Sequence, residues 1–280
     1  MKKRILWLVA ALLVAAAALS MAAGEEDRLF DIDSNETLPL TKAVSTLKED
    51  RIILVGEQHT SQAHHENQLA VIRALHEAGA KLAVGMEMFR SDSQKDLDAW
   101  TAGQLPEGEF IRIYYDNWNF DWDLYAPILR YARDNRIPVA GLNVSRAITS
   151  QVARKGFSSL TEEQRGKLKD VACRVDKTYM DFIKRAYGAH AHGNLNFTYF
   201  CEAQLVWDTV MAINALDFVE AHPQHVMVIV TGNGHAWKGG IPAQISDRSD
   251  VPVSVILPEI PGVTEPGRVD TDDADYLFLQ

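Results

Sequence analysis

Five short apolar runs constrain the fold most: Arg51–Gly56, Lys81–Glu87, Ile137–Leu142, His225–Thr231 and Val251–Leu257. They are rich in Val, Ile and Leu and show no regular polar alternation. A strand with one wet face alternates, whereas a strand covered on both faces does not. The runs therefore predict an α/β fold with a mainly parallel sheet and helices on both faces. The segments between them read as helices. Glu66–Ala78 places Leu69, Ile72 and Leu75 on one stripe and stops at Gly79. Ser91 and Gln94 have capping-box spacing ahead of Leu97 and Trp100. Trp122–Asn135 carries Ile128, Leu129 and Tyr131. Thr161 and Gln164 form a second capping box, predicting a long helix through Leu168, Val171, Val175, Tyr179 and Phe182. Glu202–Glu220 is apolar over most of its surface, as a buried helix is. Strands alternating with helices give βαβ units. Residues 160–200 lack a strand pattern and read as a helical insert, and Tyr276–Leu279 reads as a last edge strand.

The N-terminus has its own logic. Lys2, Lys3 and Arg4 precede an apolar run, Ile5–Leu19, and Ser20-Met21-Ala22 fits a small-x-small cleavage site. This is the pattern of a secretory signal peptide over residues 1–22. It leaves residues 23–280 as a single domain in the periplasm. An uncleaved inner-membrane anchor is the alternative, since the run is nearly long enough to span a bilayer. A net charge of −10, with scattered Arg and Lys, argues against nucleic acid as a partner. Cys173 and Cys201 are outside any CxxC pattern, so redox catalysis is not indicated; a disulfide and two free thiols both remain open.

In open α/β sheets, ligands bind beyond the carboxyl ends of strands. Three such ends carry chemistry: Gly56-Glu57-Gln58-His59, Gly85-Met86-Glu87 and Gly232-Asn233-Gly234-His235. Two are Gly-x-x-His sequences, in which glycine would permit a tight turn. Glu57, His59, Glu87 and His235 suit a divalent metal, or a general base oriented by carboxylates. They could equally cap turns. His64 and His65 open the next helix and diverge in direction, so at most one is expected to face the site. Asn143 and Arg146 at a fourth strand end are expected to orient a ligand, in the kind of loop where binding groups concentrate. Phe110, Tyr114, Tyr115, Trp118, Phe120, Trp122 and Tyr125 crowd one segment, as core or as a pocket wall for a flat ligand.

These motifs, in this order, resemble one family. Ile53–His59 with Ala63-His64-His65, Gly85–Phe89 with Gln94, Tyr125–Ile128, Leu142–Arg146, Ala203–Asp208 with Met211-Ala212, and Thr231–His235 resemble the ChaN-like haem-uptake proteins over nearly the whole mature chain. The resemblance implies an exported, iron-regulated protein that binds haem in cofacial pairs at a homodimer interface, in contact with envelope haem-uptake machinery. It implies a tyrosine on the iron, with His and Lys on the propionates. The candidates for the iron are Tyr114, Tyr115, Tyr125, Tyr179, Tyr187 and Tyr199. Those for the propionates are His190, His192 and Lys238. The lipid-anchor cysteine of some family members is missing at the cleavage point. The wider superfamily includes Tiki metalloproteases and resembles erythromycin esterases. That likeness implies the alternative of a metal-dependent or His/Glu-driven hydrolase using Glu57, His59, Glu87 and His235.

Overall fold

The apolar runs form adjoining parallel strands. A computed structural model describes residues 27–168, 171–173, 175–187 and 196–280. The signal-peptide segment and the His190 and His192 expectation lie outside these. The parallel strands are β3 (Ile52–Glu57), β4 (Leu82–Arg90), β5 (Val139–Asn143), β6 (Val226–Gly232) and β7 (Val253–Pro258). They belong to an eight-stranded sheet with order β2-β1-β8-β7-β3-β6-β4-β5. The period of two sorts their side chains. Ile53 and Val55 enter one core, with Val84, Met86, Val228 and Val230. Ile52 and Leu54 enter the other, with Met227 and Ile229.

One core packs under α1 (Leu40–Leu47), α2 (Gln62–Glu77), α3 (Gln94–Thr101), α4 (Glu107–Asn117) and α5 (Trp122–Asp134). The other lies under α8 (Lys177–Tyr187), α9 (Phe197–Ala221), α10 (Asn233–Ala236) and α11 (Ile241–Ser246). A smaller cluster joins α9 to α6 (Arg146–Lys155) through Val152, Val206 and Val210. The chain from β3 to β4 runs over one face, and the chain from β5 back to β6 runs over the other. β6 thus sits between β3 and β4 where the winding changes sides. A crevice at the carboxyl ends is expected there.

Three expectations need correction. The tail strand, β8 (Tyr276–Phe278), is internal rather than an edge. β1 (Arg28–Asp31) pairs with it antiparallel and with β2 (Glu36–Pro39), which takes the edge. These four-residue strands are too short and polar to show a period. The Ser91–Gln94 capping box does not form. Gln94 instead spans the outer edge of β5, its Nε2 donating to Val139 O at 2.8 Å and its Oε1 accepting from Gly141 N at 3.1 Å. An unpaired edge offers stronger demand for an amide than a helix start does. The Thr161–Gln164 box does form, but its helix α7 is only Glu162–Gly166. The expected long helix is broken because Leu168 packs with the α6–α9 cluster while Phe182 packs with the β6-side core. Both cysteines are free, and burial pushes the Cys173 thiol up to about 12 and the Cys201 thiol up to about 11.

Candidate functional site

β3 and β6 run in parallel register with Gly56 opposite Thr231 and Glu57 opposite Gly232. This brings the two Gly-x-x-His segments side by side. Neither leading glycine is in the left-handed region. Their role is close approach. A Cβ on Gly56 would fall 2.8 Å from Asn233 Oδ1 and 3.2 Å from Ala236 Cβ; one on Gly232 would fall 2.8 Å from His59 Cε1. Each motif's glycine is therefore the seat for a side chain of the other motif. Gly56→Ala is expected to cost about 1–3 kcal/mol through overpacking, measured by urea denaturation. An unchanged midpoint would count against this interlock.

Two hydrogen-bonded clusters meet at these strand ends. In the first, Glu57 Oε1 lies 2.6 Å from His59 Nδ1 and accepts from Tyr125 OH at 3.0 Å. His65 stands behind them, Nε2 3.8 Å from Glu57 Oε2. In the second, Glu87 Oε2 accepts from Thr231 Oγ1 at 2.8 Å and from Gly232 N at 2.7 Å. Its other oxygen lies 3.8 Å from His235 Nε2. His235 Nδ1 is 2.6 Å from Asp208 Oδ1, and Asp208 Oδ2 accepts from Tyr179 OH at 2.6 Å.

The electrostatics follow from this crowding. Burial opposes charge on His59, but the hydrogen bond to Glu57 and the field of Glu87 outweigh it and raise its pKa to about 9. Burial likewise opposes charge on His235, yet Glu87 and Asp208 raise it. Burial alone would raise the Glu87 carboxyl; His235 and His59 hold it below the usual range. Asp208 is raised because burial prevails there over its partners. The side chain of His59 keeps 29% of its surface exposed while Glu57 has none, so His59 is the member of its pair that meets solvent. Its ring packs between Trp118 and Phe120, at centroid distances of 5.1 and 4.8 Å.

Beyond these aromatics lies a cavity of about 250 Å³. Trp118, Phe120, Trp207, Met88 and Val144 line it, with Glu87 at its base and Arg146 and Asn119 among its polar groups. Arg146 is exposed at the first turn of α6 and forms no ion pair among the described residues. Asn143 also lines the cavity, but its Nδ2 donates to Glu87 O at 2.8 Å, tying β5 to β4. The remaining site expectations scatter. His64 turns back to accept from Gln58 N at 3.0 Å, and burial lowers its pKa. His65 faces Glu57 and packs at a tilt against the Tyr125 ring. Lys238 lies elsewhere, donating to Asp275 Oδ1 at 2.6 Å and Thr271 O at 2.7 Å.

The expectation of a divalent metal on Glu57, His59, Glu87 and His235 is not supported. Among the described residues no three His, Cys, Asp or Glu side chains converge as a metal-binding group. One atom of each is engaged elsewhere: Glu57 Oε1 by His59 and Tyr125, Glu87 Oε2 by Thr231 and Gly232, and His235 Nδ1 by Asp208. Among the tyrosines, Tyr114 OH donates to Phe120 O and Tyr125 OH to Glu57, and burial drives both phenols far above their usual range. Tyr179 is committed to Asp208. Tyr115 is 49% exposed, and its hydroxyl oxygen accepts from Trp122 N. Tyr199 is half-buried against Gly156. Tyr187 ends α8, and its side chain is outside the described residues.

Sequence reasoning did not select Asp208, Thr231 or Trp207 as site residues. A signal for Asp208 existed: it is a lone carboxylate within the apolar stretch of α9, and a buried charge requires a partner.

Comparison with known proteins places this arrangement. The structure resembles that of ChaN of Campylobacter jejuni, solved with cofacial haem, with a TM-score of 0.68, 21% identity, and coverage of 91% of this chain and 96% of that one. It also resembles the erythromycin esterase EreC, with a TM-score of 0.50, 13% identity, and coverage of 84% and 77%. At these identities the likenesses show the fold alone. The chloroplastic protein RETICULATA-RELATED 5 of Arabidopsis thaliana is 23% identical over 217 residues, 71% of this chain but only 29% of that protein's length. Residues 43–245 match the family described as haem-binding uptake, Tiki superfamily, ChaN, and with most of its length inside that match the chain belongs to this family.

Proposed function

We propose that this chain binds haem on the open face of the Trp118–Phe120–Trp207 cleft. The observation that carries the reading is the pairing of an aromatic wall with Arg146, an exposed cation that forms no ion pair among the described residues. Haem needs an apolar slot, an axial ligand and cations for its propionates. An acidic protein needs the cation locally, because its overall field repels a dianion. At about 250 Å³ the cleft is below the ~300–1,000 Å³ of pockets that enclose a ligand. It fits one edge of a macrocycle, with a second copy of the chain covering the rest. Tyr115 and Tyr199 are the phenols that donate no hydrogen bond among the described residues, and Tyr187 stays a candidate on sequence alone. A phenolate is a hard anionic ligand suited to ferric iron.

Haem titration followed by visible absorption tests this. Binding is expected to survive His59→Ala and His235→Ala, to weaken about tenfold in Arg146→Ala, and to be lost in one of Tyr115→Phe, Tyr187→Phe or Tyr199→Phe. Full binding by all three tyrosine variants, with loss in His59→Ala, would sink the assignment. The uptake role and delivery to envelope machinery rest on the family, and a periplasmic location on the Lys2–Ala22 pattern. N-terminal sequencing of the fractionated protein decides the location, with an intact Met1 in membranes showing an anchor. Among the described residues, no helix is long and apolar enough to cross a membrane.

One observation favours a second reading. His59 reaches solvent with its Nδ1 held by Glu57 and Glu87 close by, the arrangement of an oriented acid–base group. Protonated below about pH 9, it would act in a hydrolase as general acid to the leaving group. Loss of ester or amide hydrolysis in His59→Ala, with haem absorption unchanged, would assign the two activities separately.

A further inference from the structure

We propose that Asp208 and Tyr179 are positioning residues for His235: together they hold its Nδ1–H inward and direct Nε2 at Glu87, which lines the cleft. Neither touches the cavity. Asp208 is fully buried in the middle of α9, where an unpaired carboxylate would be costly. It divides its two oxygens between two donors, His235 Nδ1 at 2.6 Å and Tyr179 OH at 2.6 Å. The opposite ring nitrogen, Nε2, points toward Glu87 Oε1 at 3.8 Å, and Glu87 lines the cavity. Trp207, also on the cavity wall, lies edge-on to the His235 ring. Which imidazole nitrogen carries the proton is set by the bond the other nitrogen makes. Here that bond is built from two elements, α9 and α8, that lie outside the strand ends.

Tyr179 has a job that Asp208 alone cannot do. An ionised carboxylate is acceptor-only and symmetric, so it would take His235 Nδ1–H without help. The hydroxyl of Tyr179 adds direction by occupying one oxygen. α8 is itself seated, because Phe182 packs into the space above Gly239, where a Cβ would come within 2.7 Å of the ring. The helix thus connects the loop after His235 to the carboxylate that orients it.

This division of labour makes an unusual demand on a double variant. In Asp208→Asn the amide oxygen faces the Tyr179 hydroxyl, the donor that holds that side. The amide NH₂ is then turned toward His235 Nδ1, which must accept. Neutral His235 is expected to switch from the Nδ1–H to the Nε2–H tautomer by at least about tenfold in population, the weight of one hydrogen bond. Adding Tyr179→Phe frees the amide to turn over, and the Nδ1–H tautomer is expected to return.

The measurement is the pair of ¹⁵N shifts of His235 in ¹⁵N-histidine-labelled full chain, followed across pH, in wild type, Asp208→Asn, and Asp208→Asn with Tyr179→Phe. The expected series is Nδ1–H, Nε2–H, Nδ1–H. A neutral Nδ1–H form in Asp208→Asn, or an Nε2–H form that persists in the double variant, overturns the role of Tyr179. If neither variant folds, the wild-type spectrum still decides, since a neutral Nε2–H form there overturns the proposal. The readout needs neither haem nor a substrate, so failure of the proposed function leaves it intact.

Discussion

Glu87→Ala is expected to lower the stability of the fold by about 3–5 kcal/mol, the range for removing one partner from a buried charge cluster. Glu87 is buried between two imidazoles, His235 and His59, that hold its carboxyl below the usual range. Its removal strands more than charge. Thr231 Oγ1 and Gly232 N both donate to Glu87 Oε2, and both residues are buried. Gly232 N also belongs to the interlocked segment that carries His235, so the loss spreads into the site. Glu87→Gln keeps an acceptor for Thr231 and Gly232 but no anion for the imidazoles, so its cost is expected to be clearly smaller than that of alanine. Urea denaturation at neutral pH measures both, read as a midpoint change at constant slope. A loss below about 1 kcal/mol for alanine would mean that water fills the gap and that the cluster is less enclosed than its geometry states.

The same charges set an alkaline limit to stability. His59 titrates near 9 in the folded chain against 6.5 as its ordinary value, because Glu57 and Glu87 outweigh burial. A raised folded pKa stabilises through the protonated form. The contribution is therefore complete below about 6.5 and is lost as pH rises through about 9. Its size is about 1–3 kcal/mol, with solvent screening at the exposed edge of the ring keeping it toward the lower end. His59→Gln cannot titrate. The stability gap between wild type and this variant is expected to be largest near pH 6 and to close by pH 10. The sign reverses on the acid side. Glu87 has a lowered folded pKa, so its contribution is present above about 4.5 and is lost as pH falls through the folded value. A gap that stays flat from pH 6 to pH 10 would show that His59 is not charged beside Glu57.

Much of this was legible in the residue order, because burial on both faces leaves a chemical trace. The unalternating runs such as Ile52–Val55 and Val226–Val230 lie within the parallel strands and mark their carboxyl ends; Glu57 and His235 stand at or just past those ends, and Glu87 one residue past the last pairing of β4 with β6. The family resemblance was legible for the same reason: its motifs are mostly strand ends. Strand order was not. Whether β6 enters between β3 and β4, and whether β8 is covered by β1, depends on which faces the helices bury, which no local pattern encodes.

The glycines show the division most sharply. Gly56 and Gly232 are readable as positions that reject a side chain, yet a turn and a close approach look identical in one dimension. Only the register of β3 on β6 shows that each makes room for the other motif. The sequence by itself determined which residue types stand at the ends of buried strands, because hydrophobic periodicity is local. The tertiary structure alone decided what those residues touch. Asp208 and Tyr179 reach His235 across 27 and 56 positions of chain, and Gln94 leaves its cap for the edge of β5. Such pairings are selected by the need of buried polar groups for partners, a condition set by the packed volume rather than by neighbours in sequence.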